Sequence, residues 1–107
     1  MLITEYLERN AMLYPDEVAL VEINPEFNPG GNAWKELNLV EPGQETPFRR
    51  EISWEDFNCR ANRFANLLLA NGVGRGDKVA ILLMNCLEWL PIYFGVLKAG
   101  AMAVPLN

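Results

Sequence analysis

Residues 79–97, VAILLMNCLEWLPIYFGVL, form a run of 19 residues with a single charge, bounded by Lys78 and Lys98. A stretch this long and apolar either crosses a bilayer or divides into shorter elements buried on nearly all sides. Asn85, Glu88 and Pro91 at its centre favour division, because one acid at mid-bilayer costs about 2.5–3.5 kcal/mol on insertion scales. Residues 79–84 then read as a buried strand, and a helix follows. Asn85 is its expected N-cap with Glu88 three residues on, and Trp89, Ile92, Tyr93, Val96 and Leu97 make one apolar stripe. Leu90 and Phe94 add a second apolar face. Pro91 removes a donor early in this helix, so a kink or a later start is expected. Gly100 caps it, and AMAVPL after it is another buried strand.

The glycines ahead of this run, in LLANGVGRGDKVAILLMN, invite comparison with a phosphate loop. Such a loop needs a strand before the glycines and a helix N-terminus after them. Here the order is reversed. Ser53 is an N-cap with Asp56 three residues on, and Trp54, Phe57, Ala61, Phe64, Ala65 and Leu68 recur at helical spacing as far as Gly72. Gly72 is therefore a helix C-cap, and Gly74 to Asp77 a tight turn fixed by Asp77 beside Arg75 and Lys78. One serine, Ser53, and two threonines, Thr4 and Thr46, leave no material for a Gly/Ser/Thr phosphate loop.

Thr4 is the expected N-cap of a first helix, with Glu5 and Glu8 in its opening turn. Tyr6, Leu7, Ala11 and Tyr14 form its stripe, and Pro15 stops it. VALVEI, residues 18–23, and REIS, residues 50–53, are extended segments suited to an antiparallel hairpin. Between them an insertion, residues 24–49, carries prolines at 25, 29, 42 and 47 and glycines at 30, 31 and 43, which exclude a continuous helix or strand. It is a surface insertion, or one partly folded around Trp34, Leu37 and Leu39.

Fourteen acidic and nine basic residues give a net charge of -5, which disfavours attraction to nucleic acid or anionic lipid. The N-terminus MLITEYLERN lacks the basic start and apolar run of an export signal. With no histidine and no CxxC, Cys59 and Cys86 read as reduced, buried thiols of a cytoplasmic protein, with neither metal nor disulfide. The adjacent acids Asp16 with Glu17, and Glu55 with Asp56, point apart on a helix and serve as solvated or capping groups. Asn58, Asn62 and Asn66, spaced by four, read as a solvated face. No catalytic, cofactor-binding or metal-binding residue is assigned from these patterns.

Strand, helix and strand in short succession imply parallel pairing through right-handed crossovers, so residues 53–106 read as two successive crossover units of an α/β fold. A parallel strand and an all-round apolar helix need cover on both faces, which 107 residues supply poorly. A piece of a larger protein, with Trp89, Leu90 and Phe94 exposed and prone to self-association, is the expectation.

The helix carrying ANR, then GVGRGDKVAILLMN, then KAGAMAVPLN, resembles the N-terminal stretch of the acyl-adenylate-forming superfamily, the AMP-binding acyl-CoA synthetases and ligases. The resemblance covers roughly residues 51–107, and YPDEVALV fits as well; residues 24–49 depart from the short hairpin usual there. It implies the N-terminal part of an acetyl-CoA-synthetase-like fold, within a parent that activates a carboxylic acid, in the first instance a fatty acid, with ATP and Mg²⁺. The acyl group then passes to coenzyme A. The superfamily's phosphate loop, adenine contacts and mobile C-terminal domain lie later in the chain, so residues 1–107 are expected to be scaffold, inactive alone, with the rest of the parent as partner. An adenylation domain loading a carrier protein, and a free-standing binding module using the insertion around Trp34, are the alternatives.

Overall fold

The structure, a computed structural model, describes residues 2–23, 49–83 and 86–106. Seven elements follow in order: α1 (Ile3–Leu13), β1 (Val18–Ile23), β2 (Arg49–Ser53), α2 (Trp54–Ala70), β3 (Lys78–Leu82), α3 (Trp89–Lys98) and β4 (Met102–Leu106). β1 and β2 pair antiparallel, and β3 and β4 pair parallel in a separate two-stranded sheet. This is the expected α/β arrangement of a hairpin and a parallel pair joined by a helix. Only the β3–α3–β4 unit is a parallel crossover among the described residues. The expected first crossover is replaced by a junction between sheets: β1 takes β2 as its partner, and α2 starts at the residue after β2 ends. The candidate insertion 24–49 lies outside the described residues apart from Arg49, which already belongs to β2.

Local chemistry sets the helix ends. Ser53 caps α2 as expected, its hydroxyl oxygen accepting from the Asp56 N–H at 3.1 Å. The two preceding donors are satisfied from the turn before β1: the Trp54 N–H donates to the Glu17 carbonyl at 3.0 Å and the Glu55 N–H to the Pro15 carbonyl at 3.2 Å. At the far end Gly72 takes φ 81°, while Gly72 and Val73 donate to the carbonyls of Leu69 and Leu68. This 6→1 and 5→2 pattern closes the helix and brings Val73 against Leu68 in one cluster. α3 ends the same way, through Gly100 at φ 83° with Ala101 donating to Val96.

Two expected N-caps are corrected. α1 starts at Ile3 after Leu2, not after Thr4; Glu5 makes the earlier start possible because its carboxylate accepts from the Leu2 N–H at 3.2 Å. α3 starts late, at Trp89 with Glu88 in the N-cap position, which puts Pro91 in the first turn where its missing N–H costs nothing. Asn85, the expected cap, lies outside the described residues.

The core has two clusters. Leu7, Ile52, Phe57, Ala61 and Leu87 join α1, β2, α2 and the turn before α3. Ile81, Val96 and Ala101 sit beneath the parallel pair, with Phe64 and Leu68 of α2 packed on them. Burying a side chain such as Phe57 stabilises by about 1.5–3 kcal/mol. Of the four residues expected to form the α1 stripe only Leu7 is buried; Tyr6 and Tyr14 are half exposed. The expected exposure of Trp89 and Phe94 is also corrected. Trp89 stacks on Tyr93 with centroids 5.1 Å apart, and Phe94 meets Phe57 edge-on at 5.3 Å; of the three, only Leu90 is exposed.

Candidate functional site

β2 reads RREIS, and strand alternation puts Arg50 on the same face as buried Ile52. Arg50 is 5% exposed, the one charged residue buried among those described. Its Nε donates to Glu22 Oε2 at 2.8 Å and its Nη2 to the same oxygen, while Nη1 donates to Glu88 Oε1 at 2.7 Å. Glu22 comes from β1 opposite Arg50 in the hairpin register, and its Oε1 accepts from the Leu87 N–H at 2.9 Å. One guanidinium thus ties the hairpin to the turn that opens α3. Burial pulls the Arg50 pKa down, but hydrogen bonds and charge from Glu22 and Glu88 outweigh it and hold the group above its ordinary value. Arg50 stays charged and cannot act as an acid or base here.

Cys86 brings its sulfur near the same carboxylates, and the ligand atoms of Glu22, Cys86 and Glu88 lie within 4.8 Å of one another. That spacing suits a metal, but both carboxylates already accept from Arg50, whose positive charge stands where a cation would bind. The residues do not fit a metal ion. Cys86 is half-buried and Cys59 exposed, so the expected burial of Cys59 is corrected; the two are not joined to each other.

The glycine turn behaves as its order in the chain dictates. The Asp77 N–H donates to the Gly74 carbonyl at 3.0 Å with Gly76 at φ 87°, and Asp77 Oδ2 accepts from the Gly74 N–H at 2.8 Å. The N–H that a phosphate would need is taken by a carboxylate, which repels an anion as well. The turn does not fit a nucleotide triphosphate.

The remaining sequence candidates separate. Asp16 and Glu17 are exposed before β1, while Asp56 pairs with Arg60 at 3.0 Å along α2 and Glu55 is exposed. Asn62 and Asn66 face solvent, but Asn58 does not fit the solvated stripe: its Oδ1 is buried without a hydrogen-bond partner. A cleft of about 250 Å³ opens beside α2 and α3, walled by side chains such as Phe64, Leu67 and Ile92. Its polar lining is Arg60, Arg63 and Glu88; Arg60 pairs with Asp56, and Glu88 with Arg50. The Cys86 thiol stands near two carboxylates, and both of those carboxylates accept from Arg50. Sequence reasoning missed the Glu22–Arg50–Glu88 cluster. Alternation of Arg50 with Ile52 was the available signal for it.

This geometry is a framework whose one buried cation among the described residues is held by two carboxylates. The sequence profile of the AMP-binding enzyme family matches residues 7–107. A crotonobetaine/carnitine–CoA ligase of Citrobacter koseri is 47% identical over 58 residues, which are 54% of this chain and 11% of that protein. A long-chain-fatty-acid–CoA ligase, FadD13, of Mycobacterium tuberculosis is 38% identical over 68 residues, 64% of this chain and 13% of the relative. The chain therefore spans about an eighth of the length of these curated relatives. Among solved structures, a Mycobacterium tuberculosis fatty acyl CoA synthetase superposes with a TM-score of 0.68 at 28% identity, covering 98% of this chain and 16% of that one. The N-terminal domain of FACL13 from the same organism gives a TM-score of 0.67 at 30% identity, covering 98% and 21%. With the family profile matching nearly its whole length, this chain belongs to the AMP-binding enzyme family.

Proposed function

We propose that residues 1–107 are the N-terminal scaffold of an acid–thiol ligase that activates a carboxylic acid, in the first instance a fatty acid, with ATP and passes the acyl group to coenzyme A. The observation that carries this reading is the 47% and 38% identity to two CoA ligases of different acid specificity. In the proposed reaction the acid's carboxylate displaces pyrophosphate from ATP to give an acyl adenylate, and the thiol then displaces AMP. No described residue contributes a step. The glycine turn is closed on Asp77 and the acidic cluster on Arg50, so ATP and Mg²⁺ belong to parts of the parent outside these elements. The role of this segment is to hold two sheets and three helices in register, in a protein of the cytoplasm with the rest of the parent as its partner.

Exchange of labelled pyrophosphate into ATP, measured over a panel of carboxylic acids, tests both halves of the reading. The purified 107-residue chain should give no acid-dependent exchange, and exchange by it would overturn the scaffold role. The product of the uninterrupted reading frame that contains this segment should exchange with a fatty acid and form its CoA thioester. Absence of thioester, with carrier-protein loading in its place, would overturn the choice of coenzyme A.

A further inference from the structure

We draw no further inference here: the strongest candidate, the largely apolar cleft beside α2 and α3 lined by Arg63, Phe64, Leu67 and Ile92, lies open in a segment spanning about an eighth of the length of its relatives, and nothing in the structure shows what covers it.

Discussion

Arg50 Nη1 donates to Glu88 Oε1 at 2.7 Å across 38 residues of chain, and this bond joins the β1–β2 hairpin to the start of α3. Those two elements otherwise meet through Leu87, whose side chain is buried with Ile52 and whose N–H is held by Glu22. Polar and apolar contacts therefore fix the same junction.

Arg50→Met should destabilise the chain by about 3–5 kcal/mol, because it strands two largely buried carboxylates. Replacing the whole cluster, with Glu22→Gln and Glu88→Gln added, should recover most of that loss, since the amide oxygen introduced at position 22 can still accept from the Leu87 N–H. Urea unfolding of the three proteins reads this directly. A single variant as stable as the parent would mean that the bonds are solvent-screened and weak.

The pH dependence of this junction follows from the direction of the Arg50 shift. A cation whose pKa is raised in the folded state contributes stability that is complete below its unfolded pKa and is lost only as pH passes the folded one. For an arginine that window lies beyond any ordinary alkaline buffer. The difference in melting temperature between the parent chain and Arg50→Met should thus be equal at pH 7 and pH 10. A difference that shrinks at pH 10 would show that a group other than the guanidinium controls the junction.

Much of this fold was legible because its signals are local. β1 occupies the very residues expected, Ser53 caps α2, and Gly72 and Gly100 close their helices as their positions predict. What was misread depends on partners distant in sequence. REIS pairs with VALVEI in the expected antiparallel hairpin, but α2 then leads from that hairpin to a second sheet, so only one of the two expected crossovers forms among the described residues. Glu88 looked like a helix-capping acid; its partner is Arg50, in another element. The phosphate-loop question was settled by element order alone, and Asp77 closing on Gly74 adds the mechanism.

Gly95 shows the same limit and yields a test. Nothing in an apolar helix marks one glycine as a crossing point, yet a Cβ there would stand 2.9 Å from the Ala61 carbonyl and from Phe64 Cβ and Cδ2. Gly95→Ala gains about 1 kcal/mol of helix propensity and loses about 1–3 kcal/mol to overpacking. Because one neighbour is backbone and cannot rotate away, the net should be a loss of about 1 kcal/mol in urea unfolding. A gain would mean that α2 and α3 can separate freely.

The last prediction concerns ATP. A ligand that binds only the folded chain stabilises it by about 2.7 kcal/mol at a hundredfold excess over its Kd. For a domain of about 100 residues, each kcal/mol moves the melting temperature by roughly 4–8 °C. An occupied nucleotide site in this segment would therefore shift melting by ten degrees or more. The turn from Gly74 to Asp77 follows a helix and precedes a strand, and its Gly74 N–H is already bonded to the Asp77 carboxylate. Millimolar ATP with Mg²⁺ should leave the melting temperature of the 107-residue chain unchanged within about 1 °C. Asp77→Asn removes the negative charge but keeps an acceptor for Gly74, and it too should not respond. A shift in the parent chain alone would place a phosphate site elsewhere on the scaffold; a shift only in Asp77→Asn would show that the carboxylate, rather than the order of the elements, keeps the nucleotide out.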